Sequence, residues 1–185
     1  LSESIDIAVS WGIRDFELRM VNGNRVPDIT GNDIALLQSL KRQYRLSYTA
    51  LSPGVFKINI GDKENVRRDL ENVLPRTFDL AHLLDAEKII VFGFAKETKD
   101  PPKDRQRVID VFGPVAELAA EHEILICIEN EPGFWCDNGQ NTASLLQEIN
   151  HPNLRANWDP ANGIGTGEVP YPEGYEQMKR WIANV

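Results

Sequence analysis

The sequence predicts an α/β protein built on a parallel sheet, and three observations carry that prediction. Strand-like and helix-like segments alternate along the whole chain, with strand starts about every 30–40 residues, the period of a βαβ unit. Two strands, KIIVF at 88–92 and ILICI at 124–128, are almost wholly apolar, as strands covered by helices are. The 185 residues, 42% hydrophobic and 26% charged, suffice for one domain with a real core and no disulfide or metal staple. A doubly wound open sheet and part of a (β/α)8 barrel both fit this rhythm.

Each element has its own warrant. Residues 2–12 read as a short amphipathic helix, with Ile5, Ala8, Val9 and Gly12 at helical spacing. Phe16–Met20 alternates apolar and polar and is the first strand. NGNRVPD, at 22–28, is a turn-rich loop. Thr30 and Asp33 have capping-box spacing, opening a helix to about Gln43. Leu46–Leu51 is the second strand, closed by Ser52-Pro53-Gly54, and a helix follows from about Asp62 to Leu84, with Pro75 placed to kink it. Lys88–Phe94 is the third strand. Asp100-Pro101 opens a helix to about His122, because proline suits a first helical turn. Ile124–Glu129 is the fourth strand, a helix spans about Thr142–Asn150, and Leu154–Trp158 is the fifth strand. A Gly/Pro loop then leads to a last helix from about Tyr171 to Asn184. The count is five strands and six helices in a single domain, 1–185, with no linker.

Charge narrows the function. Lys and Arg total 20 against 28 Asp and Glu, a net −8, and no basic cluster is interleaved with aromatics, so nucleic acid is disfavoured. No apolar run approaches the roughly 18 residues of a membrane span. LSESIDIAVS lacks the basic-then-apolar order of a secretory signal, and two cysteines make no disulfide framework, so a reducing, cytoplasmic location is expected. The chain opens on Leu1 and not Met, as if a preceding segment were missing.

In parallel α/β folds, function gathers at the C-terminal ends of strands. Acidic residues stand at three of the five ends: Glu17, Glu129 with Glu131, and Asp159. Alternation puts Ile124, Ile126 and Ile128 on the helix side and Leu125, Cys127 and Glu129 on the other. The same logic groups Arg155, Asn157 and Asp159 away from Leu154, Ala156 and Trp158. An inward carboxylate is costly unless it is paired, hydrogen-bonded or metal-bound. Two carboxylates on adjacent strand ends suit a hard divalent cation. The alternative is an ion pair of Glu129 with Arg19 or Arg155, with Asp159 capping the next turn; both readings stand.

Other residues have two readings as well. Trp135 is suited to stack on a sugar ring or to anchor its own loop. Arg19 and Lys57 are suited to a substrate phosphate or carboxylate; otherwise Arg19 pairs with Glu17 or a neighbouring strand and Lys57 is a solvated surface residue. Gly163–Gly167 lacks the strand-to-helix register of a phosphate loop and reads as a flexible loop. His82, His122 and His151 fall at helix ends or in loops, Cys127 in a core strand, and Cys136 where no histidine can activate it.

ICIENEPGFW, RANWDPAN and FELRMVNGNRVPD at their strand ends, with ALSPGVFKI and VFGFAK, resemble the xylose isomerase-like (β/α)8 barrels across essentially the whole chain. This superfamily holds sugar isomerases and epimerases and the apurinic-site endonuclease family 2; the likeness is strongest to members termed sugar phosphate isomerase/epimerase. The resemblance implies a TIM barrel represented by about strands two to six with helices one to six, without the first strand and the last two. It implies a divalent ion (Mn, Mg, Co or Zn) held by Glu129 and Asp159, with Glu131 an alternative to Glu129, and His and Glu ligands from strands seven and eight. Glu129 then doubles as a catalytic proton carrier. Glu17, Arg19, Lys57, Trp135 and Asn162 are the expected substrate contacts. The expected substrate is a sugar or sugar phosphate, turned over by proton abstraction next to a carbonyl, and a homo-oligomer is compatible with the chain. Asn162 stands where the nuclease branch has a histidine three residues after its aspartate, which disfavours a trinuclear zinc site. The rival reading is a non-catalytic portion of such a barrel that binds a sugar or a partner.

Overall fold

The structure, a computed structural model, describes residues 1–185. Six parallel strands form one sheet that curls into a half-barrel. They are β1 (Asp15–Leu18), β4 (Ser47–Leu51), β5 (Lys88–Phe92), β6 (Leu125–Glu129), β7 (Leu154–Asn157) and β8 (Ile182–Asn184), adjacent in that order. Between β1 and β4 lies a small antiparallel hairpin of β2 (Met20–Val21) and β3 (Asn24–Arg25). Helices α1 (Ser2–Ser10), α2 (Gly31–Tyr44), α3 (Lys63–Arg68), α4 (Leu74–Leu84), α5 (Lys103–Glu121), α6 (Gly139–Ile149), α7 (Pro160–Gly165) and α8 (Tyr175–Met178) complete the chain. None is long and apolar enough to cross a membrane.

The alternation along the strands sorts the core as expected. Ile124, Ile126 and Ile128 pack with Ile89 and Val91 into the large cluster beneath the helices, which includes Phe112, Val115, Leu145 and Leu146. The opposite face buries a smaller cluster of Ala50, Ile90 and Cys127, flanked by Leu125 and Ala183. Thr30 closes the capping box foreseen at α2: its hydroxyl accepts the Asp33 N–H, and the Asp33 carboxylate accepts the Thr30 N–H.

Four expectations are corrected. The helix expected over 62–84 is interrupted by a π-helical stretch, Asp69–Val73, just ahead of Pro75. Proline lacks the N–H that a continuous α-ladder needs there, and the wider turn absorbs the defect. The turn-rich 22–28 segment is half of the β2–β3 hairpin. The Gly/Pro loop after β7 contains α7, for which Asp159 is the N-cap. The last helix is much shorter than expected. A π turn over Pro170–Gly174 and α8 are followed by a reversal at Trp181, whose N–H bonds Met178 O at 2.7 Å. Ile182–Asn184 then joins the sheet, pairing Ala156 with Ile182 and Asn157 with Asn184. The ladder bonds of a vacant β7 edge outweigh continuation of a helix, so the sheet gains a sixth strand.

Candidate functional site

Register builds the site. In a parallel sheet, laterally paired residues point to the same face. Phe92 pairs with Glu129, Glu129 with Asn157, and Asn157 with Asn184. The four side chains therefore form one row across the C-terminal ends of β5 to β8, above the apolar layer of Ile90 and Cys127. A cleft of about 550 Å³ opens over this row. Of the residues singled out from sequence, Glu17, Arg19, Lys57, Glu129, Glu131, Asp159 and Asn162 all line it, together with Ser52, Phe92, Asn157 and Trp158.

Neither Arg19 nor Arg155 pairs with Glu129. Asn157 Nδ2 donates to Glu129 Oε2 at 3.1 Å, and Asn184 Nδ2 donates to Asn157 Oδ1 at 2.9 Å. Burial pushes the Glu129 carboxyl above the ordinary carboxylate range. The Glu131 charge adds to this, the Asn157 amide opposes it, and Asp159 and Glu17 push the same way as burial. Glu17, across the cleft on β1, is likewise raised by burial and lowered by the Asn184 amide and then by Arg19.

Asp159 performs the capping expected of it in the structural reading, its Oδ1 accepting the Asn162 N–H at 3.0 Å. Its backbone is gripped by Asn130, whose side chain accepts the Asp159 N–H and donates to the Asp159 carbonyl, both at 2.8 Å. Asn162 Nδ2 returns a bond to Asn130 O at 2.9 Å. Asn130 is fully buried, so this amide lattice fixes the end of β7 against the end of β6. One oxygen of Glu129 and one of Asp159 accept no protein donor. They are hard oxygen donors of the kind a divalent ion takes. The donor set fits in kind and is incomplete in number, since no third His, Cys, Asp or Glu joins them in a metal-sized group.

Lys57 is in the cleft and not on the open surface, but its charge is engaged. It pairs with Glu131 at 2.7 Å and lies 4.3 Å from the Phe92 ring centroid. Glu131, the alternative first ligand, is thereby tied to Lys57. Trp135 does not reach the cleft. It is buried in the main core, its indole Nε1 has no acceptor, and Lys96 covers its ring at 4.7 Å. The cleft's indole is Trp158. Alternation assigned Trp158 to the helix side, but β7 ends at Asn157 and its alternation ends there too. The two thiols are inert core groups, both pushed up to about 12 by burial.

Sequence reasoning gave Asn157 the right face but no role, and missed Asn130 and Asn184. For Asn130, the signal was its position between two acidic residues at a strand end; for Asn184, the misread helix concealed it. Asn157→Leu, which removes the donor to Glu129, is expected to raise the Glu129 pKa further. A ¹³C-carboxyl NMR titration measures this, and an unmoved Glu129 signal would show that the amide does not hold the carboxylate.

A parallel sheet curled into a half-barrel and covered by helices is part of a (β/α)8 fold. A profile described as xylose isomerase-like TIM barrel matches residues 5–183, and the chain belongs to that family. It is 30% identical over 104 residues to a 3-dehydroshikimate dehydratase of Bacillus anthracis, a match covering 56% of this chain and 37% of the dehydratase. The crystal structure of the probable 3-DHS dehydratase of that organism superposes with a TM-score of 0.81 at 23% identity, covering 98% of this chain and 65% of the other. A D-allulose 3-epimerase from Methylomonas sp., in complex with D-allulose, gives 0.77 at 16% identity over 98% and 64%. A xylose isomerase-like protein from Mycobacterium smegmatis, in complex with magnesium, gives 0.76 at 15% over 97% and 63%. The chain thus spans about two thirds of the length of these structures or less.

Proposed function

We propose that this chain contributes the proton-abstracting half of a divalent-metal-dependent isomerase or epimerase acting on a sugar or sugar phosphate. The observation that carries the reading is Glu129. It is a half-buried carboxylate in an open cleft, with raised proton affinity and one oxygen held in place by Asn157. A base of this kind works best when its pKa approaches the working pH. Glu129 and Asp159 are the residues that would hold the metal, which when bound polarises a substrate carbonyl. Glu129 takes the proton from the carbon next to that carbonyl. Asn157 fixes the approach of its carboxylate, and Trp158 offers an apolar face to the carbon skeleton.

The likeness to a dehydratase supports a second outcome of the same first step. Once the proton is removed, reprotonation on the opposite face gives an epimer, whereas expulsion of a hydroxyl one carbon further on gives loss of water. The test is solvent-deuterium exchange with Mn²⁺ or Mg²⁺, using a form of the protein that spans the length of its relatives. The substrates are a panel of ketoses, ketose phosphates and 3-dehydroshikimate. Deuterium next to the carbonyl without loss of water supports the epimerase, and release of water supports the dehydratase. Absence of both across the panel would defeat the reading.

A further inference from the structure

Beside the cleft, a hollow of about 250 Å³ lies between the end of the β2–β3 hairpin, the Pro53-Gly54 turn and the π stretch before α4. Arg25, Arg68 and Arg76 line it. Its two carboxylates are already engaged. Asp69 is buried, accepts the Phe56 N–H at 2.8 Å and pairs with Arg68 at 3.0 Å, while Asp28 pairs with Arg76 at 2.7 Å. Arg25 enters no ion pair. Its Nε donates to Ser52 O at 3.1 Å, and its Nη2 is sealed from water without any acceptor. A charged donor buried in that state is costly.

Two further observations point the same way. Val26 N–H bonds Arg19 O at 3.1 Å and Met20 pairs with Arg25, so two guanidinium-bearing residues share one end of the hairpin. Burial and the nearby Arg19 weaken Arg25's hold on its proton, while Glu129 and Glu131 strengthen it. Gly54, at φ +80°, leaves room for the guanidinium: a Cβ there would stand 2.8 Å from Arg25 Cζ.

We propose that this hollow is an oxyanion site in which Arg25 grips the phosphate or carboxylate of a small ligand, with Arg68 and Arg76 at its rim. A guanidinium suits both groups as a permanently charged hydrogen-bond donor. The site adjoins the cleft, whose Glu129 and Glu131 act on Arg25, but its test needs neither metal nor turnover. The 185-residue chain is titrated with inorganic phosphate while arginine side-chain N–H signals are followed by NMR. A saturable shift of the Arg25 signal is expected, and Arg25→Gln is expected to weaken binding about tenfold or more. Gly54→Ala keeps the charge but pushes the guanidinium aside. It should weaken binding too, and it serves if Arg25→Gln does not fold. Arg19→Gln, in the cleft, should leave phosphate binding little changed. Competition by glucose 6-phosphate alone assigns the group to a phosphate, and competition by gluconate alone to a carboxylate. No saturable binding, unchanged affinity in Arg25→Gln and Gly54→Ala, or loss confined to Arg19→Gln would overturn the proposal.

Discussion

Glu129→Gln is expected to lower turnover by about 10²–10⁴-fold, the usual contribution of a positioned general base, and to raise stability at neutral pH. The two effects have one origin. Burial and neighbouring carboxylates raise the folded-state pKa of Glu129 above its ordinary value. The folded state therefore binds the proton more tightly than the unfolded state. Stability falls as pH rises from the ordinary carboxylate pKa through the raised one, and stays lower above it. A neutral glutamine keeps the shape and the contact with Asn157 without that penalty. Urea denaturation at neutral pH and a deuterium-exchange assay read the two effects separately. Loss of stability in Glu129→Gln with activity retained would mark Glu129 as a structural residue.

Phe112→Ala is expected to cost about 3–5 kcal/mol of folding stability, measured by urea denaturation. Phe112 is fully buried on α5, where it meets Phe56 edge-on at 5.5 Å and Phe94 at 5.9 Å, while Phe56 and Phe94 stack at 4.6 Å. This trio joins the segments after β4 and β5 to the helix that follows. Phe56 and Phe94 both sit at positive φ, where replacement would mix packing loss with a change in backbone preference. Phe112 lies within α5, two residues before Pro114, and is not at positive φ, so its replacement reads chiefly the packing contribution. A cost below about 1 kcal/mol would show that the cavity collapses or that the trio is loosely packed.

The elements most legible in the sequence were those whose pattern repeats a physical constraint. The KIIVF and ILICI strands announced themselves because burial on both faces removes polar residues, and the alternation at 124–129 correctly turned Glu129 inward. The Thr30 capping box was legible because both partners lie within four residues. The chain's end was not. Residues 171–184 have helical spacing, but the choice between helix and strand is made by the free edge of β7, which no local window contains. The same holds for the site. Its carboxylates were found from their strand-end positions, whereas the amides that hold them act between strands 27–32 residues apart in sequence. Trp135 follows the Glu129 strand, which suits it to stack on a ring or to anchor its loop, and only packing reveals that it is buried in the core.

The row of amides behind Glu129 has a consequence for isotope traffic. Asn157 and Asn184 orient the carboxylate, yet carboxamides neither take up nor pass on a proton near neutral pH. A proton captured by Glu129 therefore does not leave along the Asn157–Asn184 amides. It either returns to the substrate skeleton or leaves through the open mouth of the cleft by way of the unbonded oxygen. The fraction of label retained in product should then report how well that mouth is closed during a catalytic cycle, making proton washout a gauge of solvent access.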